Sequence, residues 1–222
     1  MNLNLLTEAL AGYLCVVVVI TLHEFGHAWM AWRCGDPTAK SLGRVSLNPV
    51  AHIDPIGTVA LPFIAIFLSL AGYGQVANFI IGWGKPVPVN YTNLRNVDRD
   101  SLLIAMAGPA MNVVLTVVVG IVVKVSLVGG WVPIARAGET LAIISMLLFF
   151  FNLIPVPPLD GSHILRFITR MRWETFFQLS QFGFIAVIIL IQLPAVKFYL
   201  NRSTFYSISS YWDVLQIPRI PY

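Results

Sequence analysis

The chain has 222 residues, of which 57% are hydrophobic and only 11% charged, against about 25% charged in a soluble domain of similar size. That composition excludes an ordinary soluble enzyme and predicts an all-α polytopic membrane protein, a single domain over 1–222 with a core at about 5–165 and a C-terminal helix and tail at 166–222. The formal charge of +4 suits lipid headgroups of a bilayer and gives no reason to invoke nucleic acid.

The first apolar segment runs from about Leu5 to Trp32, long enough to span about 30 Å of hydrocarbon. It has no positively charged start and no small-residue cleavage site, so it reads as a retained helix and not a signal peptide. Cys15 and Cys34 would lie about 28 Å apart along it, too far for a disulfide. Inside it sits His23-Glu24-Phe25-Gly26-His27. On a helix, residues i and i+4 share one face, so both imidazoles can reach one ion, with Glu24 beside them but not a ligand. Two neutral imidazoles and a carboxylate base are the zinc-hydrolase arrangement, which calls for one Zn²⁺ per chain. Ionisable groups in a spanning helix cost about 2–3 kcal/mol each on insertion scales, so a purely structural role would need offsetting partners.

Residues 36–57 are polar and turn-rich, with short strands expected near 40–47. His52-Ile53-Asp54-Pro55 reads more readily as a turn and helix cap than as part of a site. The apolar stretch 58–83 is interrupted by Pro62 and by Ala71-Gly72-Tyr73-Gly74-Gln75, which predicts a re-entrant hairpin and not a through-going helix. In Gly84-Lys85-Pro86-Val87-Pro88-Val89-Asn90, the alternate prolines strip N–H groups from one edge only. An edge strand at 84–90, able to pair with a bound peptide through Val87 and Val89, competes here with a proline-stiffened loop.

Spans are expected at Ser101–Val128, with Gly108, Pro109 and the polar Asn112 inside it, at about Gly138–Leu153, and at Trp173–Leu193. Together with the first segment this makes four. Between the third and fourth lies Asn152-Leu153-Ile154-Pro155-Val156-Pro157-Pro158-Leu159-Asp160. Its prolines unwind the chain, so Asp160 rides on irregular backbone, which is tolerated at membrane depth only against protein or a wet cavity. A short basic helix, Ile164–Arg172, follows, and the Tyr-, Trp- and Pro-rich tail suits the interface.

Parity ties these pieces together. If Asp160 is the third ligand, the first and third spans must end on the same side, which holds if 58–83 re-enters. That topology puts Arg33, Lys40, Arg44, Lys85, Arg95, Arg99, Arg166, Arg170 and Arg172 on one face. Only Lys124, Arg136, Lys197, Arg202 and Arg219 are left on the other. The positive-inside rule then sets the metal-proximal face in the cytoplasm, in a multi-pass protein of the cell membrane. His163 could add a fourth ligand, but a closed site would abolish catalysis, so a supporting role fits better.

H-E-F-G-H in a first span with N-L-I-P-V-P-P-L-D-G far downstream resembles the site-2 protease family of intramembrane zinc metalloproteases. NPVAHIDPIGT and GWGKPVPVN are similar to its compact prokaryotic branch, which lacks PDZ and nucleotide-sensing modules. The resemblance implies His23, His27 and Asp160 as zinc ligands, Glu24 as the catalytic glutamate, and Asn152 as an aid to substrate or oxyanion binding. It likens 84–90 to a substrate-clamping strand. Lys85, Val87 and Val89 there, and the polar Asn112 inside its span, are the candidate substrate contacts. The implied partner is a membrane-anchored protein substrate such as an anti-sigma factor or a signal-peptide remnant. Two readings from other classes compete: a membrane metal carrier or sensor, and an inactive binder of membrane segments using the same ligands.

Overall fold

A computed structural model describes residues 3–74 and 82–218. Four helices in it are long and apolar enough to cross a membrane: α1 (Leu3–Arg33), α4 (Val97–Val128), α5 (Val132–Asn152) and α7 (Trp173–Gln192). They are joined by α2 (Thr38–Ser41), α3 (Leu61–Leu70), α6 (Gly161–Thr169) and α8 (Pro194–Leu215). α4 packs against both α1 and α5, and α8 lies along α5. Large apolar side chains such as Val118, Ile121 and Val125 on α4 and Phe182, Ile185 and Ile189 on α7 stay exposed. That is the expected outer surface of a protein solvated by lipid tails, where leaving a valine outside costs nothing.

Local chemistry explains where these helices begin and stop. Asn96 caps α4, accepting from the Arg99 N–H at 3.0 Å, while Asp100 accepts from the Asn96 N–H at 2.9 Å. Reciprocal capping and two acids in the first turn start the helix at Val97, four residues earlier than composition suggests. α5 likewise begins at Val132 and not Gly138, carrying Arg136 and Glu139 in its first turns. It ends where Pro155, Pro157 and Pro158 forbid continuation.

The segment at 58–83 returns to its starting point. A π-helical turn over Pro55–Ala60 leads into α3, whose 10 residues would cover about 15 Å, half a membrane. Gly72 then turns the chain at a φ of 89°, open to glycine without strain. At the far end Trp83 N–H donates to Gly57 C=O at 3.2 Å and Thr58 Oγ1 donates to Trp83 C=O at 2.7 Å. Both bonds bring Trp83 back beside Gly57 and Thr58, as the expected hairpin requires; residues 75–81 lie outside the described residues.

One expectation needs correction. No strand forms among the described residues: 38–41 is a helical turn followed by bends, and 84–90 is extended but has no ladder partner. The tail, expected to suit the interface, is helical over most of its length. Residues 194–215 form α8, with Ile208 and Trp212 buried against Val119, Val123 and Met146. Tyr211 fits over Gly120 and donates its hydroxyl to Val117 C=O at 2.8 Å.

Candidate metal centre

His23 and His27 lie near the C-terminal end of α1, both buried, and His27 is about 9 Å of helix from Arg33. The ends of α1 and α5 meet here, as the parity argument requires. Asp160 occupies the position before α6, yet its side chain caps nothing. Instead Oδ2 lies 3.2 Å from His23 Nε2 and 3.5 Å from His27 Nε2, with the two nitrogens 3.0 Å apart. A tetrahedral ion with bonds of about 2.0–2.1 Å needs donor separations of about 3.3–3.4 Å, so the triangle has the right size. Asp160 Oδ2 is buried with no hydrogen-bond donor of its own, the mark of a group that answers to a cation. Among the described residues this is the only His/Cys/Asp/Glu cluster with metal-binding spacing.

The surroundings leave both Nε2 atoms with free lone pairs. His27 Nδ1 is 2.7 Å from the Ile104 carbonyl, which can only accept, so Nδ1 carries the proton. The side-chain amide of Asn112 lies 3.3 Å from His23 Nδ1, and its Oδ1 has no hydrogen-bond partner. The near atom is Nδ2; with the amide turned over so that its oxygen meets the ring, His23 donates from Nδ1 and keeps the Nε2 lone pair for an ion. Asn112 is fully buried, and its own carbonyl accepts from Ser145 Oγ at 2.8 Å and Thr116 Oγ1 at 2.9 Å. It sits behind His23 and not on the cavity wall.

Gly108 on α4 faces both rings. A Cβ there would overlap His27 Nε2 and lie 2.7 Å from His23 Cε1, while Gly26 on α1 lets the helices close on each other at Ala107 C=O. Gly108→Ala should therefore displace the imidazoles and lower metal affinity by about 10–100-fold, read by competition with a chelator. Wild-type affinity in that variant would contradict the packing.

A cavity of about 260 Å³ opens beside the triangle, lined by Glu24, Asn152, Val87, Val89 and His163 among others. Asn152 holds itself by donating to Leu148 C=O at 3.0 Å. His163 is not part of the triangle. Burial pushes its imidazole down to about 4, so it is neutral at pH 7, with its ring packed on Phe176. Lys85 is exposed and does not line the cavity. Asp54 accepts from Ile56 N–H at 3.0 Å and Gly57 N–H at 2.7 Å, a helix cap as expected, and His52 donates to Ser46 C=O at 2.8 Å. Arg166 fastens α6, and with it Asp160, to α4: it pairs with Asp98 at 2.6 Å and stacks 3.7 Å over Trp173.

Sequence reasoning missed the Ile104 carbonyl, since a backbone acceptor carries no side-chain signal. It also missed Gly108 as a seat for the rings, although its four-residue spacing from Ile104 puts both on one face of α4.

Membrane-length helices around a two-histidine, one-aspartate triangle, with a glutamate on the same cavity, define a membrane-embedded metalloprotease. The model of peptidase family M50 matches residues 131–193, the part that carries Asp160. YwhC of Bacillus subtilis, described as a candidate zinc metalloprotease, is 31% identical over 84% of this chain and 83% of its own length. Rip2 of Mycolicibacterium smegmatis, described likewise, is 30% identical over 92% of this chain and 72% of its own. Rip2 of Mycobacterium tuberculosis is 28% identical over 85% and 68%. No solved structure matches the chain. The chain belongs to peptidase family M50, the site-2 protease family.

Proposed function

We propose that this protein is an intramembrane zinc endopeptidase that hydrolyses peptide bonds in or near the transmembrane segments of membrane-anchored substrates. His23, His27 and Asp160 would hold one zinc ion, and the cavity would open toward the cytoplasm from the cell membrane. The observation that carries this reading is the buried triangle of three lone-pair donors 3.0–3.5 Å apart with Glu24 on the adjoining cavity. The relatives' description as zinc metalloproteases supports the choice of ion.

When bound, zinc supplies the Lewis acidity that acidifies water and polarises a carbonyl. Glu24 takes the proton from the attacking water and returns it to the leaving amine. The Asn152 amide, at the end of α5, lines the same cavity and would donate its second N–H to the developing oxyanion; such a donor is worth about 3 kcal/mol in other hydrolases. Val87 and Val89 line the cavity, and their backbone N–H groups have no partner among the described residues. They can pair with a substrate segment drawn out of its helix. Purified protein in lipid nanodiscs should cleave members of a panel of single-span peptides. A chelator should stop cleavage and zinc should restore it. Cleavage that persists in chelator would overturn the metal-dependent reading.

A further inference from the structure

The extended strap 83–90 has no strand beside it among the described residues, so something else must hold it straight. The fasteners come from the loop that precedes it in sequence. Lys85 N–H donates to His52 C=O at 2.9 Å, Asn90 N–H donates to Asp36 Oδ2 at 2.7 Å, and Thr58 takes Trp83. The central one is Arg44. Its Nη1 donates to Pro86 C=O at 3.2 Å and its Nη2 donates to Lys85 C=O. One planar fork thus grips two successive carbonyls. A lysine, with a single ammonium point, cannot reproduce that grip.

Arg44 is only 4% exposed and does not line the cavity, an unusual place for a guanidinium. Burial pulls its pKa down, and the negative charge of Glu24 opposes that pull. The strap runs close past the catalytic helix. At Gly84 a Cβ would meet Ile20 at 2.6 Å and Glu24 Oε1 at 3.4 Å. Slack at 85–86 would therefore move Val87 and Val89 relative to Glu24.

We propose that Arg44 is the positioning residue that sets the register of the strap, and so decides which peptide bond of a paired substrate reaches Glu24. This rests on the peptidase reading above. A paired strand that slips does so by two residues, since a one-residue slip turns every side chain to the wrong face. Arg44→Lys and Arg44→Gln, made in the full chain in nanodiscs, should therefore give products with extra termini two residues from the wild-type cut, by mass spectrometry. KM should rise by about tenfold, with bound zinc unchanged and the protein still folded, though at a lower thermal midpoint because a buried hydrogen bond is lost.

A second arm needs no turnover: a single-span peptide should bind Glu24→Gln/Arg44→Lys about tenfold more weakly than Glu24→Gln alone. A single wild-type product with unchanged KM and unchanged binding would overturn the assignment. So would loss of the fold in both variants, which would make Arg44 a folding residue. An inert wild-type enzyme would instead count against the peptidase reading, and the binding arm would still judge Arg44.

Discussion

Glu24→Gln should reduce cleavage of a membrane-anchored substrate by about 10²–10⁴-fold, the usual contribution of a general base, while the protein keeps its metal. The two halves of that result have separate causes. Glu24 follows His23 on α1 but lies outside the ligand triangle, so a neutral amide of the same shape leaves the three donor atoms alone. It lines the cavity, where the amide can still occupy the space but cannot accept a proton from water. Product analysis by mass spectrometry and metal content by elemental analysis read the two halves independently. Loss of metal together with activity would make Glu24 a ligand. Retained cleavage would remove it from the chemistry, and a metal carrier built on the same residues would keep its transport in this variant.

Asp160→Asn should have the larger effect on the metal. The wild-type carboxylate presents a buried oxygen 3.2 and 3.5 Å from the two imidazole nitrogens and offers the one full negative charge in the triangle. An amide oxygen is a weaker donor with no charge. The loss should exceed the roughly 100-fold at the upper end of changes one shell further out, and cleavage should fall with it. The fold should survive, because α6 is held to α4 independently by the Arg166–Asp98 pair and by Trp173. Chelator competition and thermal unfolding, taken together, separate the two effects. Zinc held at wild-type affinity by this variant would remove Asp160 from the ligand set.

Much of this architecture was legible from residue order because it depends on neighbours in the chain. The i, i+4 histidines share a face by helix geometry alone. Glycine and proline at Gly72 and Pro62 marked the re-entrant segment, since those residues act on the backbone they belong to. The four spans followed from length and apolarity, which lipid rewards locally. The strap at 84–90 was harder. Its prolines and valines are right for an edge strand, but a strand needs a ladder, and the carbonyls at 85 and 86 are taken by the Arg44 side chain. Asn112 was read as a substrate contact because a polar residue in a span invites a functional role. Its position against His23 depends on how α4 rotates on α1, set by the close approach at Gly26 and Gly108.

Order along the chain was thus enough for the membrane helices, the paired imidazoles and the glutamate beside them, since each follows from a period of 3.6 residues or from solubility in hydrocarbon. Only the folded arrangement could decide that Asp160 closes the triangle, that Ile104 and Asn112 orient the rings, and that a buried arginine fastens the strap. Those contacts join residues 40 to 140 positions apart. No local rule carries such information, because it arises when α1, α4 and α5 pack and bring their separate pieces to the same depth.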